Sequence, residues 1–270
     1  MRKLFLTYPN ISRLILGALL ILLALILSGL IPNTPHLGEY FPFVGTTLVV
    51  MANWFMFRTE NRNLSALGFD LKKRNLSFLP IGLILGIIAF VAGFYFRTFI
   101  TGEQWNINHN INYKSILQQL YWVLPTAAVQ QFIVRGYCFK KIIEMSNQTT
   151  GIIISGLFFI GMHDFWNGNI VQIIAYAATL FIGHLMFCEA LLKSGTIYFA
   201  IGLHWGNNLA NSSLFTEGRK ETSILFTTNQ HANNMGWTQF GSLLLLTNIG
   251  FIVLTLIVWK WKPKQIAIIT

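Results

Sequence analysis

Residues 14–31 read LILGALLILLALILSGLI, eighteen consecutive positions with no charge and a single hydroxyl, Ser28. As a helix rising 1.5 Å per residue the run covers about 27 Å, close to the roughly 30 Å of hydrocarbon in a bilayer. It therefore reads as a membrane span. Arg2, Lys3 and Arg13 precede it in the manner of a signal peptide, but many apolar runs follow, which favours an uncleaved first span. Taken from Ile11, that run covers 11–31. Seven more follow, at 42–57, 78–100, 115–139, 150–166, 171–192, 195–211 and 240–260. They are continuously apolar and lack the in-out alternation of a lipid-facing strand, so helices are predicted rather than a barrel. The expected fold class is an all-α integral membrane protein of about eight transmembrane helices, one transmembrane domain over 1–270.

Composition agrees with that reading. The chain is 54% hydrophobic and 10% charged, against about a quarter charged in soluble proteins. A cytosolic globular protein and a disordered chain are both excluded. The formal net charge of +10 does not point to nucleic acid, because the basic residues sit in short clusters between apolar runs, where anionic lipid accounts for them. Threading eight alternating spans puts Arg2, Lys3, Arg58, Arg62, Lys72, Lys73, Arg74, Lys140, Lys141, Lys193, Lys260, Lys262 and Lys264 on one side. By the positive-inside rule that side, with both termini, faces the cytoplasm. Lys114, Arg219 and Lys220, with Arg97 near the end of the third span, stay opposite. The long loops are 58–77, basic, and 212–239, rich in Asn, Thr and Ser. Cys138 and Cys188 have no CxxC spacing, so neither a disulfide framework nor a zinc knuckle is expected.

Polar side chains within the spans each need a reason, since burying them in hydrocarbon costs several kcal/mol unless they are paired. Three clusters stand out: Gln130, Gln131 and Arg135; Phe159, His163 and Asp164; His204, Asn207 and Asn208. Gln131 and Arg135, Phe159 and His163, and His204 and Asn208 are each four apart, so each pair shares a helix face. Counting from the basic end puts Gln130 about 13 Å deep, His204 about 15 Å and His163 about 20 Å. The three clusters converge near mid-membrane, where they are expected to line one cavity opening toward the basic, cytoplasmic end. Taken singly, each could be ordinary interhelical hydrogen bonding. His184 in the sixth run reads as a structural histidine.

These residues resemble the three motifs of the CPBP family, EExxxR, FxxxH and HxxxN, a family that includes type II CAAX prenyl endopeptidases and bacterial relatives linked to bacteriocin self-immunity. The motifs stand here as Gln130-Gln131-Phe132-Ile133-Val134-Arg135, Phe159-Ile160-Gly161-Met162-His163 and His204-Trp205-Gly206-Asn207-Asn208. The linking stretch Lys193-Ser194-Gly195-Thr196-Ile197 also looks like the family's, so the resemblance covers about residues 115–211. Its implications are a bundle in a bacterial plasma membrane, an intramembrane peptidase site on Gln130, Gln131, Arg135, His163, His204 and Asn208, and a membrane-embedded or lipidated peptide as ligand beside the bilayer itself.

The departure falls at the chemistry. The family's first Glu is thought to activate water, and Gln130 takes its place. A neutral amide has donors and acceptors but no useful basicity. Gln131 replaces the second Glu, which leaves Arg135 with a dipole for a partner instead of a charge. Hydrolysis is therefore expected to be absent or impaired, with a histidine as the remaining base candidate. The alternatives are a non-catalytic scaffold or immunity-like binding protein and a small-molecule transporter, the last disfavoured by the lack of internal repeats. Glu189 and Asp164 are poorly placed to replace the base. No cofactor is expected, and two His with an Asn make a weak metal set without a carboxylate.

Overall fold

The computed structural model describes residues 7–30, 42–164, 169–228 and 237–261. Arg2, Lys3, Lys262 and Lys264, the ends of the first and fifth predicted runs, and residues 229–236 of the 212–239 loop lie outside the described residues. Each of the eight predicted runs holds a helix. Three helices are long and apolar enough to cross a membrane by length and composition: α1 (Pro9–Leu30), α3 (Lys73–Thr101) and α7 (Ile170–Ser194). The remaining described α-helices are α2 (Val44–Arg58), α4 (Tyr113–Arg135), α5 (Tyr137–Met145), α6 (Gln148–Gly161), α8 (Ile197–Leu209), α9 (Trp237–Thr247) and α10 (Ile249–Lys260). The last two form a pair bent by 55° that passes the same test as a fourth span. α1 shows why such segments need lipid. Leu19, Leu22, Leu23 and Ile26 are exposed, while Gly17, Ile21 and Ala24 face the bundle.

The fourth predicted run is broken rather than continuous. α4 ends at Arg135, Gly136 leaves helical geometry, and α5 starts at Tyr137. Asn53 of α2, 1% exposed, holds the break. Its Oδ1 accepts the Tyr137 N–H at 2.6 Å, and its Nδ2 donates to the Val49 oxygen at 2.8 Å. A buried amide thus satisfies the backbone group that the interrupted ladder leaves over. A side chain at Gly136 would run into Asn53 and the Phe132 oxygen, so the break needs glycine.

α8 lies at the centre, with ten of its thirteen residues buried, and packs on α3, α4 and α7. Its approach to α3 is backbone on backbone. A Cβ at Gly82 or Gly86 of α3 would meet the main chain of α8 between Phe199 and Asn207, and one at Gly202 or Gly206 of α8 would meet the main-chain oxygens of Leu79 and Leu83. Two small-xxx-small pairs facing each other are how membrane helices gain close packing where lipid removes the hydrophobic drive.

The two ends of the bundle differ. At one end Arg13, Glu60, Arg62, Lys141 and Glu144 form an ion network, with Lys141 Nζ 2.5 Å from Glu60 and Arg62 2.6 Å from Glu144. Beside it the turn between α7 and α8 docks on the 58–77 loop: Thr196 Oγ1 donates to the Gly68 oxygen at 3.0 Å, and Arg74 donates to the Ser194 oxygen at 3.2 Å. At the opposite end a small sheet of β1 (Trp105–Ile107), β2 (Phe215–Glu217) and β3 (Leu225–Thr227) runs in the order β1-β3-β2. It adds a β element that the all-α expectation omitted. Strands of three residues in polar loops carry too few alternations to register in a sequence.

Candidate functional site

α4 brings its motif to the interior through two successive residues that face different ways. Gln130 lines a cavity of about 810 Å³, while Gln131 and Arg135 lie fully buried beneath it. α6 ends at Gly161, which leaves His163 in the turn that follows, its Nδ1 2.8 Å from the Phe159 oxygen. That carbonyl can only accept, so His163 carries its proton on Nδ1. α8 supplies His204 and, one turn on, Asn208, whose amide lies 3.1 Å from His204 Nε2. Gln130, His163, His204 and Asn208 share the cavity wall with Asn207, Tyr176, Phe187 and Asn248.

Beneath the cavity the three motifs interlock around Arg135. Its guanidinium donates to Gln131 Oε1 at 2.9 Å and to His184 Nδ1 and backbone oxygen at 2.6 and 3.1 Å. Gln131 Nε2 lies 2.8 Å from His204 Nδ1. The guanidinium carbon sits 5.4 Å from the centre of the Phe159 ring and 5.1 Å from that of Phe187. A buried cation is thus held by dipoles and two π faces with no carboxylate among these contacts. The Phe of the second motif therefore has a physical role, which is to cover the Arg of the first. His184, fully buried, is structural in the same network, since its other ring nitrogen meets the Ile152 oxygen at 3.0 Å.

The cavity does not open where the sequence reading put it. Its wall runs from Gln130 and His204 to Arg97, Asn211, Ser212 and Glu217, at the end that carries the small sheet. Two causes are visible. The basic end is filled by the Arg135 network and the docked α7–α8 turn, whereas α6 stops early and the α9–α10 bend at Asn248 leaves space above them. At the mouth Arg97 is 2.5 Å from Glu217 and 3.1 Å from Glu103.

Neither acidic residue considered as a replacement base reaches the site. Asp164 is exposed, and neither it nor Glu189 lines the cavity. The residues present do not suit a metal ion either. The donors at the motif end are neutral, and Glu217 at the mouth is engaged by Arg97. Sequence reasoning passed over Asn248, although an Asn inside an apolar run was a usable signal. Its Oδ1, like Gln130 Oε1, is a buried acceptor without a protein partner. Both residues stand in the cavity wall, ready to take a donor. Tyr176 and Phe187 gave no such signal, since aromatic residues are ordinary in apolar helices.

Residues 112–210 match the family described as type II CAAX prenyl endopeptidase Rce1-like. Neither the curated proteins nor the solved structures give a match. The matched segment starts at Asn112, the residue that caps α4, and ends at Ala210, the residue that caps α8. It takes in every helix that carries a motif residue, and over that segment, less than half of the chain, this integral membrane protein is similar to the type II CAAX prenyl endopeptidases.

Proposed function

We propose that this chain is a hydrolytically silent member of the intramembrane endopeptidase family, one that receives a membrane-embedded or lipidated peptide in its cavity and does not cleave it at an appreciable rate. The observation that carries the reading is Gln130, an amide in the cavity wall where the family's mechanism needs a carboxylate, with its Oε1 unpaired. Withdrawing a general base typically lowers a rate by about 10² to 10⁴. The cavity volume lies in the usual range for ligand sites, about 300 to 1,000 Å³, and aromatic rings supply most of its apolar wall. The test compares peptide hydrolysis by the unaltered chain and by Gln130→Glu with Gln131→Glu on prenylated and membrane-spanning peptides.

A second reading, an immunity-like binding protein, is favoured by the position of the mouth. Basic residues concentrate at the opposite end, around Arg58, Arg62, Lys72, Lys73 and Arg74, and the positive-inside rule puts that end in the cytoplasm of a bacterial plasma membrane. The cavity then faces outward, toward a peptide arriving from outside. Cysteines introduced singly at 73 and 225 and probed on intact cells with an impermeant thiol reagent are expected to label at 225 alone. Strong labelling at 73 with none at 225 reverses the orientation and removes the support for the second reading.

A further inference from the structure

The direction of every hydrogen bond in the buried network follows from its one donor-only member. A guanidinium has five N–H groups and no acceptor, so each atom that meets Arg135 must accept. His184 Nδ1, 2.6 Å away, is therefore unprotonated and the His184 proton sits on Nε2. The other side of the ring agrees independently, because Nε2 faces the Ile152 oxygen at 3.0 Å, which can only accept. Gln131 is constrained in the same way. With its oxygen committed to Arg135 at 2.9 Å, its NH2 must point to His204 Nδ1 at 2.8 Å.

That N–H needs an unprotonated nitrogen. The His204 proton is then on Nε2, aimed at the Asn208 amide 3.1 Å away. The two ends of a side-chain amide are told apart by their partners alone, and this partner requires Asn208 to present its oxygen; its NH2 then faces the Asn207 amide 3.3 Å away, which must turn its own oxygen to accept. His163 is the reverse case, with Nδ1–H on the Phe159 oxygen and a lone pair on Nε2.

We infer that Gln131 is a positioning residue that sets the tautomer of His204: it relays the donor character of Arg135 and fixes His204 in the Nε2–H form, leaving His163 as the histidine at the cavity with a free lone pair. A carboxylate at 131 would do the opposite. Having no N–H, it would accept from Arg135 and from His204 Nδ1–H together, which returns the lone pair to Nε2 on the Asn208 side. The two amides of the first motif thus act separately. Gln130 removes a base, and Gln131 turns a second base candidate into a donor. The inference rests on counting donors and acceptors, and it holds whether or not a peptide is cleaved.

The test is nitrogen NMR of the full chain labelled with ¹⁵N-histidine in lipid nanodiscs, the six histidines being assigned by single replacement with Gln. In the unaltered chain His184 and His204 are expected with the proton on Nε2 and His163 with the proton on Nδ1. In Gln131→Glu, Nδ1 of His204 gains a proton while His184 and His163 keep their forms, an internal control for folding. A protonated Nδ1 on His204 in the unaltered chain, or an unprotonated one in Gln131→Glu, overturns the inference. Should the Glu variant not fold, Gln131→Met serves, with similar length and no N–H. His204 is then expected as a mixture of both forms, and a His204 that stays wholly Nε2–H shows that another group sets it. None of these outcomes depends on hydrolysis, so the NMR result and the peptidase assay fail separately.

Discussion

Restoring both carboxylates, by Gln130→Glu with Gln131→Glu, is expected to raise peptide hydrolysis by at least about 10² over the unaltered chain, the lower bound of what a positioned general base contributes. The effect has two parts. A glutamate at position 130 would stand in the wall of a cavity that already holds His163, His204 and Asn208, where a carboxylate can take a proton from water. A glutamate at position 131 would face Arg135, which lies 2.9 Å from the present amide oxygen, and give the buried cation a charged partner. Such a pair is the stronger form of this hydrogen bond. It would also free His204 Nε2 to accept.

Product formation on a panel of prenylated and membrane-spanning peptides is the measurement, with His163→Ala in the background of both Glu substitutions expected to abolish the gain. A folded double variant that cleaves nothing on the panel puts the non-catalytic scaffold ahead. Cleavage by the unaltered chain that is lost in His163→Ala would instead make His163 Nε2 the base, and cleavage that survives both His163→Ala and His204→Ala would falsify the site itself.

Gly206→Leu is expected to leave no folded protein, and Gly206→Ala to lower the thermal midpoint in detergent by an amount equivalent to about 1 to 3 kcal/mol, the usual penalty of overpacking a close contact. The obstacle at Gly206 is the Leu83 oxygen, a main-chain atom inside a helix that cannot swing aside as a side chain would. Pushing α8 off α3 also moves His204 and Asn208, which flank Gly206. The control is Gly241→Ala on α9, where a Cβ meets nothing within 4 Å and the helix gains slightly from alanine's propensity. Equal midpoints for Gly206→Ala and the unaltered chain would show that the two helices are not held in backbone contact.

Membrane residence, helical class and the segments that form helices were all legible in the sequence because each is a property of a local run. Residues 14–31 are apolar at every position that must face lipid, and hydrocarbon leaves an isolated segment only the helix as a way to satisfy its own backbone. The candidate site residues stood out for a related reason. A polar side chain in such a run is conspicuous, and spacing by four puts Gln131 with Arg135 and His204 with Asn208 on one face. The gathering of basic residues at one end was equally plain from their order along the chain.

Three features were decided by tertiary contact. The fourth run breaks at Gly136 because Asn53, from a helix 84 residues earlier in the chain, supplies the missing partner for Tyr137; a local reading has no access to that atom. The cavity opens toward the sheet end, against the expectation, because the other end is filled by the Arg135 network and a docked turn whose parts come from α3, α4, α7 and α8. Finally, Gln130 and Gln131 are neighbours of one residue type, yet one lines a cavity and the other relays the polarity of a buried guanidinium. Composition and spacing determine which groups enter the membrane, whereas the direction in which each donates or accepts is determined only by the atoms that close packing sets opposite it.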